Sequence, residues 1–217
     1  MDAQLASQLA RGIDTLGVSV SASQQEQLLA YLALLIKWNK AYNLTAVREP
    51  SQMVTRHLLD SLAIAPFLKD RRYIDVGTGG GLPGVPMSIL YPESTFDLLD
   101  SNGKKTRFLF QVKTALGLDN MDVHQARVES FSADEPFDGV LSRAFASLED
   151  MLHGCRHLVA PGGRFLAMKG TFPEEELAAL EPFGAVCEVH NIRVPGLDEQ
   201  RHLVEITLPQ GAVQDGE

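Results

Sequence analysis

The 217-residue chain predicts an α/β fold built on a mainly parallel seven-stranded sheet, and three observations carry that prediction. No strand signal interrupts residues 1–70, so this stretch reads as a helical N-terminal extension packed on a domain spanning residues 71–217. After Arg72, short apolar runs alternate with helical segments, the pattern of parallel strands joined by crossover helices. The last two candidate strands are joined only by Pro195-Gly196-Leu197-Asp198-Glu199-Gln200. That is too short for a crossover helix, so the last strand is expected to be antiparallel.

Each element has its own signal. Ser23-Gln24-Gln25-Glu26 matches a capping box, and Leu28, Leu32, Leu35 and Ile36 follow at helical spacing. Trp38 and Tyr42, four apart on the same helix, read as core packing. Another helix is predicted from Ser51 to Ala65, stopping before Pro66. Strands are predicted at Tyr73–Val76, Thr95–Leu99, Met121–His124, Gly139–Ser142, Arg164–Met168, Cys187–Arg193 and His202–Leu208. Helices between them are predicted at Pro83–Leu90, Lys104–Leu116, Leu148–Leu158 and Glu174–Phe183. No internal repeat or low-complexity linker is visible.

Composition narrows the class. With 45% hydrophobic and 22% charged residues the chain is ordinary globular material. No apolar run reaches the length of a membrane span, and residues 1–20 lack a basic start followed by an apolar core, so neither membrane nor secretion is expected. Cys155 and Cys187 are too few for a disulfide framework or a metal cluster, and two reduced thiols in a cytoplasmic protein are expected. The formal charge of −9 argues against a nucleic-acid partner until its distribution is examined. Residues 1–173 hold 17 Lys+Arg against 18 Asp+Glu, a net −1; residues 174–217 hold 2 against 10, the remaining −8. Lys104, Lys105, Arg107 and Lys113 lie in a segment, Ser101 to Leu118, without a single acid, which leaves room for a local basic face.

The densest chemical signal is Tyr73-Ile74-Asp75-Val76-Gly77-Thr78-Gly79-Gly80-Gly81-Leu82-Pro83-Gly84, an apolar strand, a glycine turn and a helix start. Such a turn lets a ligand approach the main chain at a helix N-terminus. Gly79-x-Gly81-x-x-Gly84 satisfies a dinucleotide fingerprint, which alone is weak. In the other frame, Asp75 precedes Gly77-x-Gly79-x-Gly81. A carboxylate there repels pyrophosphate and suits a ligand carrying an ammonium or sulfonium, such as S-adenosylmethionine. No Gly-Lys-Ser/Thr follows, which argues against phosphate-binding NTPase chemistry. Asp100, ending Leu98-Leu99-Asp100, can accept from both hydroxyls of a ribose and fits NAD and S-adenosylmethionine alike.

Five motifs in order extend this reading: Asn43-Leu44-Thr45-Ala46, Arg56-His57-Leu58-Leu59-Asp60-Ser61, the Asp75–Gly84 loop, the run from Asp100 to Leu109, and Ser142-Arg143-Ala144-Phe145. Together they resemble the ribosomal small-subunit methyltransferase G family, also called glucose-inhibited division protein B, from about Leu28 to Leu208. The resemblance implies a class I S-adenosylmethionine-dependent methyltransferase fold, Rossmann-like, with a helical N-terminal extension. It also implies methylation at N7 of a guanine in the 530 loop of bacterial 16S rRNA, as naked RNA, an assembly intermediate or the small subunit. By position, Gly77 and Leu82 line the cofactor loop with Asp75, Gly79 and Gly81, Asp100 faces the ribose, and Val128 and Glu129 lie beside the adenine. Arg143 falls at the methionine end and near the target base. Gly80 and Val128 stand where the family often has alanine, without chemical consequence.

The residues agree with that chemistry partly by omission. Guanine N7 has a lone pair and no proton, so no general base is required, and Arg143 and Lys169 are candidates for positioning only. An amine methylase would carry an Asn/Asp-Pro-Pro-aromatic run where Ser142-Arg143-Ala144-Phe145 stands, and a pyrimidine-C5 enzyme a cysteine nucleophile there. Lys104, Lys105 and Arg107, opening a helix at the ligand-binding edge of the sheet, are expected to contact RNA phosphates, with Lys169 at the same edge. Arg127 and Arg143 fit either phosphate contact or pairing with carboxylates, and His57 is carried as a site residue by its motif. A monomer without metal is expected. The competing readings are a methyltransferase acting on a small molecule or protein, and a non-enzymatic NAD-binding sensor.

Overall fold

The computed structural model describes residues 2–209, and the acids Asp215 and Glu217 of the C-terminal excess lie outside them. Two helices come first, α1 (Ala3–Leu16) and α2 (Ala22–Tyr42). The capping box of α2 sits two residues earlier than expected: Ser21 caps Gln24, and the Gln24 side chain returns to the Ser21 N–H. Both serines satisfy the spacing, and Ser21 is the one held extended. The helix expected over 51–65 is broken into α3 (Pro50–Met53), a π-helical stretch Val54–Leu59 and α4 (Asp60–Leu62). The widened turn, with the Asp60 N–H bonded to Thr55 O, carries Arg56 and His57. Such π segments recur at functional sites. Pro66 does not follow a helix end but lies inside a 3₁₀ turn, Ala65–Phe67.

Seven strands follow: β1 (Arg72–Val76), β2 (Thr95–Asp100), β3 (Met121–Gln125), β4 (Phe137–Ser142), β5 (Val159–Lys169), β6 (Val186–Asn191) and β7 (His202–Thr207). Their order is β3-β2-β1-β4-β5-β7-β6, and β7 runs antiparallel to both neighbours, as the short connection requires. Helices α5 (Gly84–Leu90), α6 (Gly103–Leu116), α7 (Leu148–Cys155) and α8 (Glu174–Ala178) cross over between strands. The chain leaves β1 for β2 and β3 and then returns to β4 on the other side of β1. That reversal opens a crevice at the carboxyl ends of β1 and β4, where ligands bind in open α/β sheets.

Leu9, Leu28 and Leu32 of the first two helices share one apolar cluster with Val85, Leu98 and Phe108, so the helical N-terminal section covers a face of the sheet. Leu148, Met151 and Leu152 cover the other face with Phe137 and Phe165. Full burial of each such leucine contributes about 1.5–3 kcal/mol. Trp38 packs on Phe108, but Tyr42 lies at the helix end against Trp38 and is exposed, so only the first of the pair is core material. Tyr31 is fully buried and its hydroxyl donates to Gly80 O at 2.6 Å, tying α2 to the glycine turn.

Candidate active site

Two carboxylates, Asp75 and Asp100, and the Thr78 hydroxyl shape the glycine turn. Gly77, Gly79 and Gly81 take φ of 69°, 62° and 93°, the left-handed region that other residues avoid. The Gly77 and Thr78 N–H groups both donate to Leu99 O, at 2.9 and 3.1 Å, which welds the turn to the end of β2. Asp100 accepts from Gly79 N at 2.9 Å on one oxygen and from Asn102 N at 2.9 Å on the other. Asp75 sits behind the turn, where Oδ2 accepts from Thr78 Oγ1 at 2.7 Å and Gly84 N at 2.9 Å. Burial pushes the Asp75 carboxyl up to about 6, against the pull of the Thr78 and Gly84 bonds.

Three clefts that share lining residues run along the strand ends. The first, about 320 Å³, is lined by Gly77, Asp100, Lys105, Arg127, Val128 and Glu129 among others. It shares Gly77 and Ala144 with a second of about 180 Å³, which adds Gly79, Leu82, His57 and Arg143. The second shares His57 and Arg143 with a third of about 330 Å³, which adds Arg56, Asp60, Lys169 and Arg201. The first cleft mixes apolar walls with Asp100, Glu129, Lys105 and Arg127, while the third is lined by four cations around Asp60.

Those cations are largely partnered. Asp60 is 4% exposed and bridges Arg143 Nη1 and Arg201 Nε, each at 3.1 Å. Desolvation raises its carboxyl above the ordinary range while the two guanidiniums pull the other way. Lys169 Nζ is held by Glu176 at 2.7 Å and by the Ala146 carbonyl at 3.1 Å. His57 is buried, and its Nε2 meets Thr45 Oγ1 at 2.9 Å.

The GidB family, rRNA small subunit methyltransferase G, matches residues 24–204. The chain is 60% identical over 200 residues to a protein named ribosomal RNA small subunit methyltransferase G from Pseudomonas aeruginosa strain LESB58, covering 92% of this chain and 94% of that one. The chain belongs to this family. It is also 56% identical over 190 residues to the protein of that name from Escherichia fergusonii, covering 88% and 92%. Among solved structures, the glycopeptide N-methyltransferase MtfA in complex with S-adenosyl-L-methionine shares the fold, with a TM-score of 0.59 at 13% identity over 69% of this chain and 87% of that one. A class I methyltransferase fold with a helical N-terminus is therefore what this family member adopts.

The geometry places the expected site residues in different surroundings. Gly77, Gly79, Leu82, Asp100, Val128, Glu129 and Arg143 line the first two clefts, whereas Asp75 lines neither and acts by bracing the turn from behind. Gly81 also lines neither; a Cβ there would lie 2.4 Å from Val85 and 2.7 Å from Leu109, so it serves packing. Lys105 does not point to a distant phosphate: its Nζ lies 3.3 Å from Asp100 inside the first cleft. Lys169 is likewise engaged by Glu176, and Arg143 by Asp60. Lys104 and Arg107 are exposed on α6 outside the three clefts, and Arg127 is exposed at the rim of the first. Arg56, Asp60 and Arg201 carried no assigned role in the sequence. Arg56 and Asp60 stand in a quoted motif; for Arg201 the one hint is that it is one of two cations in the acidic C-terminal fifth.

His57 gives a pH prediction. Burial first, and then the Arg143 charge, hold its pKa down to about 4. The unfolded chain takes up this proton first as pH falls below about 6.5, so stability is lost between 6.5 and 4. Between pH 7 and 5 the stability margin of the native chain over His57→Gln is expected to narrow by about 2 kcal/mol in urea titrations. Asp75 titrates in the opposite sense, gaining stability as pH falls through 6, but it does so in both proteins and cancels. A margin unchanged with pH would mean that His57 takes up its proton in the fold over the same range as in the unfolded chain.

Proposed function

We propose that this chain transfers a methyl group from S-adenosylmethionine to N7 of a guanine in the 530 loop of bacterial 16S rRNA, working in the cytoplasm. The observation that carries the reading is the row of clefts with shared lining residues, from one holding the Asp100 carboxylate to one lined by four cations, in a chain of this family. The donor set fits the cofactor. Asp100 turns a buried carboxylate to the first cleft and suits two ribose hydroxyls, with Val128 and Glu129 opposite for an adenine. Gly77 keeps the passage between the first and second clefts clear of a side chain. When bound there, S-adenosylmethionine supplies an electrophilic methyl on sulfur.

The protein's own work is then to orient and to desolvate. His57, neutral at pH 7 and engaged with Thr45, and Arg143, fixed on Asp60, form the common wall of the second and third clefts. Guanine N7 needs no proton removed, so a wall of this kind suffices if it holds the base in line and excludes water. Arg143 can donate to guanine O6, where adenine carries an amino donor instead.

The deciding experiment maps methylated bases in 16S rRNA from cells with and without this protein. Loss of a single N7-methylguanine in the 530 loop is expected; an unchanged map would reject the reading. With the purified protein, Lys104→Ala is expected to weaken RNA binding and leave the cofactor untouched. Lys105→Ala is expected to weaken S-adenosylmethionine binding as well, roughly two- to fivefold by calorimetry, because the buried Asp100 loses the cation that holds its carboxylate in place.

A further inference from the structure

Glu199 lies in the connection between β6 and β7 and reaches two arginines of the third cleft. Arg56 Nη2 donates to its Oε1 at 2.6 Å, and Arg201 Nη2 stands 3.7 Å from its Oε2. Both arginines line the cleft; Glu199 itself lines a separate groove of about 770 Å³ beside Thr15 and Leu16. The other cations of the cleft are held differently. Arg143 and Arg201 share the buried Asp60, and Lys169 has Glu176 and a carbonyl. Among the described residues, Glu199 is the one carboxylate partner of Arg56. The Glu199 side chain is 50% exposed and that of Arg56 35%, against 6% for Asp60.

A carboxylate spanning two guanidiniums presents the same charge and the same pair of acceptor oxygens as one edge of a phosphodiester. We propose that Arg56 and Arg201 form a phosphate site for the substrate RNA, and that Glu199 occupies it until a phosphate displaces it. This rests on the RNA reading of the function given above. Magnitudes favour the exchange: an exposed ion pair contributes little to stability, so opening it is easy, whereas an RNA phosphate brings counterion release. The Asp60 bridge is buried and stays closed during the exchange, so Arg201 keeps its position while its outer nitrogen changes partner. Nothing covalent changes; one anion replaces another.

The test is a double-mutant cycle on RNA binding, with a fluorescent fragment of 16S rRNA containing the 530 loop as the probe. Glu199→Gln is expected to bind roughly three- to tenfold more tightly than the native chain at low salt, with the gain shrinking as salt rises. Arg56→Gln is expected to bind more weakly and to lower the salt slope by about one. Combined, the two changes are expected to show no gain from Glu199→Gln, because the site it blocks is gone. S-adenosylmethionine affinity, measured in parallel, reports that the fold is intact in each variant. Equal or weaker binding by Glu199→Gln, or an undiminished gain in the Arg56→Gln background, overturns the proposal and would leave Glu199 a structural tie or a diffuse repulsive charge. Failure of the native chain to bind or methylate the RNA at all would instead reject the proposed function, and the phosphate site with it.

Discussion

A Gly77→Val variant is expected to lose S-adenosylmethionine binding by about a hundredfold or more in calorimetry, equivalent to about 2.8 kcal/mol. Two independent costs meet at this residue. Its φ of 69° is left-handed, which costs an L-residue about 1–2 kcal/mol. A Cβ would also lie 2.6 Å from the Ala144 Cβ, inside any real carbon contact. Gly77 and Ala144 are the two residues shared by the first and second clefts, so the clash falls where the proposed methyl donor would lie against both. Any shift that relieves it pulls Gly77 N from Leu99 O and disturbs the turn whose Gly79 N–H holds Asp100. Gly117→Ala supplies the control: it has a similar φ of 63° at the end of α6 with nothing within 4 Å of the added carbon. It is expected to lose comparable stability and to keep its affinity. Binding by Gly77→Val within threefold of the native chain would show that the ligand does not lie against Gly77.

The glycine turn was legible because its chemistry is local. Gly77, Gly79 and Asp100 announce themselves by residue type and by position at strand ends, and the seven strands by alternation over a few residues each. The antiparallel end of the sheet followed from a six-residue connection that leaves no room for a helix. What stayed hidden depends on who pairs with whom. Lys105 and Lys169 read as cations for RNA, yet each has a carboxylate in the fold, Asp100 and Glu176; for Arg143 the residues leave both phosphate contact and carboxylate pairing open, and the fold pairs it with Asp60. The Asp60–Arg143 pair spans 83 residues, a separation no local pattern encodes. Glu176 belongs to the acidic C-terminal fifth, whose charge count says nothing of which cation it meets. Asp75 had the right residue type for a cationic ligand, but a side chain's direction at a strand end depends on the turn it supports. The π-helical widening at Val54–Leu59 is invisible for a similar reason, since its apolar spacing over one turn differs little from an α-helix.

Asp60→Ala is expected to be the most destabilising single change in the third cleft, by about 2–3 kcal/mol in urea unfolding at pH 7. Breaking a buried ion pair from one side costs about 3–5 kcal/mol because the abandoned charge keeps its desolvation penalty. Here Arg143 and Arg201 retain partial access to water, with side chains 28% and 22% exposed, which lowers the figure. The loss comes from two stranded guanidiniums more than from a missing bond, and that account has its own consequence. Adding Arg201→Gln to Asp60→Ala removes one stranded charge, so the double variant is expected to be no less stable than Asp60→Ala alone. Simple addition of two independent losses would contradict it and would mean that packing around Asp60, not charge balance, sets the stability. The same variant separates support from chemistry: Arg143, no longer fixed on Asp60, remains present but loses its position on the wall between the second and third clefts. Turnover at saturating RNA is therefore expected to fall further than S-adenosylmethionine affinity, because the Asp100 cleft lies on the far side of Gly77 and Ala144 and keeps its own partners.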